Sequence, residues 1–429
     1  MTSTPPVLDQ LRDDLVAGIH TFERRRSRTR RVLGSGAVVV LGVAVATAVV
    51  ASGDDPGERV TSTPNTAVGS TATTSAVRPE PISGSGVTAM LFATNGNGRD
   101  LAVIDLRAGV RAVYDEEEHQ HGNGAISGAV FTADDRLVVW QTGRRALVYP
   151  AARLAGGSNP LVTRGALSGP GREIGTIVGE RQIVPTDAGD RVWIRASAGT
   201  GGDAESALEL VDLETGSVQL TTMVPSGLLP AGAGLLDAVG DDATVVVGRG
   251  GPDEQVLRFS PSGRTSVIEP PEPAIFLMAT PAHTVWAASG NRLLIVNANG
   301  SVTTVAAPDG GEWALTGSPT IPSNSPDFRT VTADGSRALF TLNHPNDLTY
   351  PPSQLVLVDL VAGTATALSH SDGTPFTPIT AFWAQDDRTI VAIDGPNDRQ
   401  TASTLDTDTG ATMTVADAIP EGFFVVAAR

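Results

Sequence analysis

The sequence predicts an all-β chain, and two observations support this fold class. Gly and Pro are frequent, with 47 and 29 copies in 429 residues, which is typical of a protein with many turns. Short runs of β-branched residues also recur from residue 87 onward, and each run is bounded by a turn. We therefore expect residues 87–429 to fold as a series of antiparallel strands.

A tight turn that begins with Asp or Asn and ends with Gly recurs through this region. Its copies lie at 105–109, 212–216, 359–363 and 406–410, and shorter versions lie at 260–263 and 297–300. Each copy joins two alternating runs, as LAVIDL is joined to VRAVYD in the first. The acidic or amide side chain bonds to the turn backbone and the glycine accepts a positive φ, so each copy predicts a β-hairpin.

A second turn precedes most hairpins, as in FTADDRLVVW from residue 131 and WAQDDRTIVAI from residue 383. Each unit then has four antiparallel strands, which is the blade of a β-propeller. Complete units are predicted to begin near residues 126, 172, 234, 274, 325 and 379. Residues 87–115 supply three further strands and 422–429 a single last one, so the last strand is expected to complete the first blade. This predicts a seven-bladed β-propeller with N- and C-terminal strand closure.

The same motifs resemble a known group of propellers. FWAQDDRTIVA at 382–392 and VTADGSRALF at 331–340, with the Asp-Leu-x-x-Gly turns, are similar to the repeats of TolB-like and WD-repeat-like proteins. The resemblance covers 87–429 and implies the propeller fold and, by analogy, a binding role outside the cytoplasm. All 30 basic residues are Arg, a composition typical of GC-rich genomes such as those of actinobacteria.

The N-terminal part predicts a membrane anchor. Residues 32–52 carry no charge, and about twenty apolar residues span the hydrocarbon core of a bilayer as a helix. An Arg-rich stretch at 24–31 precedes this segment and acidic residues follow it, so the positive-inside rule leaves 1–31 in the cytoplasm and the propeller outside. A linker rich in Ser, Thr, Pro and Gly is predicted at 53–86.

Two other interpretations of this region stay open. Small residues at 46–51 fit a cleaved signal peptide, and the sequence from residue 29 is similar to the start of a twin-arginine export signal. Residues 7–23 have the spacing of an amphipathic helix, which would lie on the inner leaflet or bind a cytoplasmic partner such as a sigma factor.

Composition and missing motifs exclude several classes of function. Without Cys the chain has no disulfide, no thiolate metal site and no Cys nucleophile. A net charge of −17 argues against nucleic-acid binding and favours cationic or neutral partners. The chain has no Gly-x-Ser-x-Gly, Walker or His-Glu-x-x-His motif. We therefore identify no catalytic residue and expect no cofactor.

The longer loops of a propeller share one face, and we expect binding groups on that face. The candidate ligand-binding residues are His119, His121, Trp313, Asn343, His344, Asp347, Tyr350 and His370. His119 and His121 follow three glutamates and could ligate a divalent cation, although a solvated acidic loop fits the same residues and no metal is assigned. The amides and aromatic ring at 343–350 suit a sugar or a peptide, although a Pro-ordered turn explains them equally.

The four other tryptophans are interpreted as packing between blades, because they lie in or beside strand runs. They are Trp140, Trp193, Trp286 and Trp383.

Together these observations predict a membrane-anchored propeller that binds or scaffolds an unknown envelope protein or carbohydrate. The alternatives are a glycosidase-like or lyase-like enzyme at the channel mouth, which needs paired carboxylates, and a transmembrane sensor acting through residues 7–23.

Overall fold

A computed structural model describes residues 79–115, 126–141, 144–149, 167, 171–178, 181–196, 206–224, 236–247, 255–308, 310–315, 329–343, 353–396 and 398–429. In this part of the chain the strands form seven antiparallel sheets, and the predicted all-β, seven-bladed propeller is confirmed. The helices predicted at 7–23 and 32–52 lie outside the described residues. Within the described ranges there is no helix that could span a membrane.

The chain passes through the blades in order, apart from its last strand. Blade 1 contains β1 (Glu80–Pro81), β2 (Met90–Asn95), β3 (Leu101–Asp105), β4 (Val110–Tyr114) and the C-terminal β29 (Phe423–Ala428). Blade 2 contains β5 (Ile126–Phe131), β6 (Leu137–Gln141), β7 (Ala146–Tyr149) and β8 (Arg172–Ile174). Blade 3 contains β9 (Arg181–Pro185), β10 (Arg191–Ala196), β11 (Ser206–Asp212) and β12 (Val218–Val224).

The other four blades each have four strands among the described residues. Blade 4 contains β13 (Leu236–Val239), β14 (Asp242–Val247), β15 (Gln255–Phe259) and β16 (Thr265–Ile268). Blade 5 contains β17 (Ala274–Ala279), β18 (His283–Ala288), β19 (Arg292–Asn297) and β20 (Val302–Ala306). Blade 6 contains β21 (Glu312–Leu315), β22 (Arg337–Asn343), β23 (Gln354–Asp359) and β24 (Thr364–Ala367). Blade 7 contains β25 (Thr380–Trp383), β26 (Thr389–Asp394), β27 (Thr401–Asp406) and β28 (Thr412–Val415).

The hydrophobic core lies between the blades. Successive residues of a strand face opposite sides of its sheet, so each blade presents one apolar set to the preceding blade and another to the next. On β10, for example, Trp193 packs toward blade 4 while Ile194 packs toward blade 2. The described residues form seven such clusters, one for each pair of neighbouring blades, including blades 7 and 1. The sheets therefore close into a ring.

The C-terminal strand closes this ring, as predicted. β29 pairs with β2 along its whole length, from Leu91 opposite Ala428 to Asn95 opposite Phe423. Its buried side chains reach both neighbours, because Ala427 packs between blades 1 and 2 while Val425 packs between blades 7 and 1. β29 thus takes the innermost position in blade 1, and β5 of blade 2 lies next to it.

The structure corrects three predicted boundaries. Residues 172–174 are the outermost strand of blade 2, and not the start of blade 3, which begins at β9. Blade 6 begins at residue 312 rather than near 325. Glu80 and Pro81, at the end of the predicted linker, pair with β4 as a fifth strand of blade 1.

Candidate functional site

The turns between the first and second strands of several blades are built around a buried threonine. Thr132, Thr186, Thr280 and Thr332 occupy this position in blades 2, 3, 5 and 6. In blade 6 the Thr332 hydroxyl donates to Asp334 Oδ1 at 2.7 Å and accepts from the Arg337 amide at 3.0 Å. The equivalent contacts in blade 2 join the Thr132 hydroxyl to Asp134 Oδ1 at 2.6 Å and to the Arg136 amide at 3.1 Å. Each threonine thereby satisfies polar groups of its own turn.

These turns surround a cavity of about 630 Å³ on the propeller axis. Its wall comes from the ends of the innermost strands, including Phe131 of β5, Pro185 of β9 and Ala279 of β17, and from the end of the chain at Arg429. Because neighbouring strands are antiparallel, this end of the ring is also the end that carries the Asp-x-x-x-Gly turns. The cavity therefore opens on the tight-turn face, opposite to the face on which we expected the binding groups.

One side of the cavity is basic. Arg329 of blade 6 and Arg429 of blade 1 line it, and Gln385 of blade 7 lies between them along the ring. Arg329 donates Nη1 to the Ala384 carbonyl at 2.9 Å and Nη2 to Asp387. Arg429 donates Nη1 to the Thr132 carbonyl and, at 2.7 Å, to Asp135 Oδ1. Burial lowers the pKa of Arg429, the positive charge of Arg329 adds to this effect, and Asp135 and Asp134 oppose it.

The other side of the cavity is mainly apolar. It is lined by Val184, Val239, Leu277, Met278 and Ala279 from blades 3, 4 and 5. The inner ends of these strands are hydrophobic because they also pack between blades, where Val184 faces blade 4 and Leu277 faces blade 6. The cavity therefore has a basic side and an apolar side across the axis from each other.

Two carboxylates also line the cavity, and their pKa values move in opposite directions. Partial desolvation raises the pKa of Asp187, and repulsion from Asp241 adds to this, while a 3.0 Å bond from the Gly240 amide opposes it. Bonds from the Thr332 hydroxyl and from Ser336 lower the pKa of Asp334 to about 2. At neutral pH Asp334 is an anion whose oxygens already accept bonds from its own turn.

The structure places Trp313 differently from the prediction. It lies in β21 and not in a loop, with 7% of its surface exposed. Its indole Nε1 donates to the Asn291 carbonyl at 3.0 Å, and its ring packs edge-on against Phe340 at 5.9 Å. Trp313 thus packs between blades 5 and 6, as the four tryptophans interpreted as packing residues are buried between other blades. We do not include Trp313 in the candidate site.

Two more of the predicted residues are described. Asn343 ends β22 beside β21, is exposed, and its Oδ1 accepts a 2.5 Å bond from the Ser353 hydroxyl. His370 begins a turn after β24, closed by the Gly373 amide, and its ring packs edge-on on Phe376 at 5.0 Å. Neither residue lines the axial cavity. His119, His121, His344, Asp347 and Tyr350 lie outside the described residues, as do the predicted anchor and the residues 7–23. In the described ranges no three His, Asp or Glu side chains could hold a metal together.

Sequence reasoning missed the axial site because it used loop length to choose the face. A usable signal was present. Five of the inter-strand turn segments contain an Arg or Asp within a few residues of the end of an innermost strand, as in RTVTADGSR from residue 329. Such positions always lie close to the axis of a propeller, so their charges indicate the chemistry of the axial opening.

Comparisons with known proteins agree with this fold. No family model matches the chain, and no curated protein matches it. Among solved structures, puromycin hydrolase matches with a TM-score of 0.50 and 15% identity over 80% of this chain and 54% of that chain. The propeller domain of the Trilobed protease from Pyrococcus furiosus gives 0.49 and 12% over 80% and 96%, and TolB from Acinetobacter baumannii gives 0.38 and 13% over 80% and 82%.

At these identities the likenesses show the fold alone. The chain is a seven-bladed β-propeller. The propeller fold that the resemblance implied is therefore confirmed.

Proposed function

We propose that this chain is a ligand-binding propeller of the cell envelope and that the axial cavity is its ligand site. One observation carries this proposal: the cavity combines an apolar side with two arginines on the opposite side. A concave, largely apolar site with a few convergent polar groups is the usual form of a small-molecule site, and its volume of about 630 Å³ suits a small ligand.

The hydrogen bonds that the cavity's carboxylates already accept favour binding over catalysis. A glycosidase needs two carboxyl groups that can reach one bond from two sides. The pKa of Asp187 is raised, but Asp334 already accepts bonds from Thr332 and Ser336. The second candidate function is an enzyme in which Asp187 is the general acid. It predicts that the wild type turns over a substrate and that the Asp187→Asn variant does not.

The ligand site can be tested by closing the cavity. Ala333 is exposed at its wall, so the variant Ala333→Trp should fill the opening. Ala362 is also exposed, lies in the outer turn of the same blade and does not line the cavity, so Ala362→Trp is the matched control. The full chain in detergent is incubated with small molecules extracted from cell envelopes, and retained compounds are identified by mass spectrometry.

The proposal expects a compound that is retained by the wild type and by Ala362→Trp but lost by Ala333→Trp. Equal retention by all three proteins would place binding elsewhere. Retention of nothing by the wild type would contradict the proposed ligand site.

The location in the envelope is proposed from the charge pattern around residues 32–52. The double variant Leu41→Arg, Val45→Arg places two charges in this segment, at a cost of about 2.5–3.5 kcal/mol each at the centre of a membrane helix. It should release the chain from carbonate-washed membranes. The control Val60→Arg, Val68→Arg carries the same charges in the predicted linker and should stay bound. Release of the wild type by the wash would contradict an anchor.

A further inference from the structure

We propose that the axial cavity binds a small carboxylate with an apolar body, the carboxylate between Arg329 and Arg429 and the body against the opposite wall. This inference rests on the proposed function and adds the chemical class of the ligand. It follows from the arrangement of three surfaces around the axis: the two guanidinium groups, the apolar strand ends and the two aspartates.

The basic side has donors to spare. A guanidinium group carries five N–H donors in a planar fork that matches a carboxylate. Among the described contacts, Arg429 donates only through Nη1, and Arg329 only through Nη1 and Nη2. Each side chain is 23% exposed, and both residues line the cavity.

The acceptors already bound to these arginines hold them in position. Asp387 fixes Arg329 and is itself held by the Ala333 amide, at 3.1 Å to each oxygen. Asp135 fixes Arg429. Because the guanidinium groups are ordered before a ligand arrives, binding requires little further loss of side-chain entropy. A carboxylate between them would also relieve the repulsion between two like charges.

The opposite side selects an apolar body. Val184, Val239 and Leu277 belong to innermost strands of three successive blades, and each is less than 9% exposed. Each is packed in an inter-blade cluster, so the small part of its surface that lines the cavity is held in place. Apolar surface that enters the cavity is removed from water, so affinity should rise with each methylene group that fits.

The aspartates favour a ligand with a single negative charge over one with two. Asp187 and Asp334 line the same cavity as the two arginines, and each arginine is already paired with a further aspartate, Asp387 or Asp135. A dianion such as an alkyl phosphate therefore meets stronger repulsion from these carboxylates than a monoanion does. This is the reason for assigning a carboxylate and not a phosphate.

Isothermal titration of the full chain in detergent tests the assignment with three probes: hexanoate and hexanamide, which have the same length, and hexyl phosphate, whose alkyl chain is one carbon longer. Hexanoate should bind at least about tenfold more tightly than the neutral hexanamide, because a charge-assisted bond is lost with the amide. It should also bind more tightly than hexyl phosphate. Butanoate should bind more weakly than hexanoate by about fourfold for each missing methylene.

Variants assign the effect to the cavity. Arg329→Gln should weaken hexanoate binding at least about tenfold and leave hexanamide binding unchanged. Arg388→Gln is the matched control: Arg388 lies in the neighbouring turn, pairs with Asp406 at 2.8 Å and does not line the cavity. Arg329→Lys keeps the charge without the fork and should give an intermediate affinity, which also shows that the variant site is folded.

The results that would contradict this inference differ from those that would contradict the proposed function. If a retained envelope compound is lost in Ala333→Trp but hexanoate and hexanamide bind equally, the cavity is a site and the carboxylate assignment is wrong. Tighter binding of hexyl phosphate, or an equal affinity of Arg329→Gln and Arg388→Gln for hexanoate, overturns the assignment as well. The absence of hexanoate binding at millimolar concentration does the same.

Discussion

Arg429 Nη1 lies 2.7 Å from Asp135 Oδ1, so the residue that follows β29 in blade 1 is joined to the first turn of blade 2. The two residues are separated by 294 positions in sequence. Their side chains are 23% and 44% exposed. The pair lies where the ring is closed and where the basic side of the axial cavity begins.

The first prediction is that this ion pair stabilises the ring. A double-mutant cycle with Arg429→Gln and Asp135→Asn should give a coupling free energy of about 0.5–1 kcal/mol in urea unfolding, since the pair is partly exposed. The pair Arg399 and Glu421, 4.0 Å apart and more than 70% exposed, provides the control and should give a coupling near zero. Equal coupling in both cycles would show that the closure does not depend on the contact.

The second prediction concerns two glycines of the Asp-x-x-x-Gly turns. Gly216 and Gly410 have φ values of +75° and +68°, so alanine is strained at either position by about 1 kcal/mol. A Cβ at Gly216 would also meet the Glu173 carbonyl at 3.0 Å, whereas nothing lies within 4 Å at Gly410. Chemical denaturation should therefore show a greater loss of stability for Gly216→Ala than for Gly410→Ala. The reverse order would be inconsistent with this geometry.

The third prediction is a pH dependence from Asp334. Its pKa in the folded protein is about 2, below the value of 3.8 for a free side chain. The bonds to the ionised carboxylate therefore contribute to stability above about pH 4, and this contribution is lost as the pH falls toward 2. The difference in Tm between the wild type and Asp334→Asn should shrink over this range. A constant difference would mean that the Asp334 carboxylate is not the titrating group.

The fourth prediction concerns Arg195, a buried cation. Arg195 is 3% exposed, its described hydrogen bond is a 3.4 Å contact with Gln182, and burial lowers its pKa. Because Nε has no partner, Arg195→Met should not destabilise the protein and should raise the free energy of unfolding by up to about 1–3 kcal/mol.

Arg191 in the same strand is the control for this measurement. Its guanidinium pairs with Asp241 at 2.7 Å, so Arg191→Met should lose about 1 kcal/mol. A loss of stability for Arg195→Met equal to that for Arg191→Met would indicate that Arg195 has a stabilising partner.

Local patterns predicted most of the fold and little of the site. The Asp-x-x-x-Gly turns were found because their chemistry is contained in five residues: in the turn at 359–363, Asp359 Oδ1 accepts from the Ala362 amide at 2.7 Å. Blade 6 shows where such reasoning fails. Its first strand, β21, has only four residues and stands within a stretch rich in Gly, Ser and Pro at 308–326, so local patterns place the start of the unit near residue 325 and Trp313 in a loop.

The sequence by itself determined the number of blades, the strand that closes the ring and the packing role of four tryptophans, because alternation and turn chemistry act over a few residues. Only the tertiary structure decided which face carries the cavity and which charges meet there. Arg329 and Arg429 are separated by 100 positions and lie in segments with no shared motif. They line one cavity because the ring brings the inner ends of all blades to a common axis.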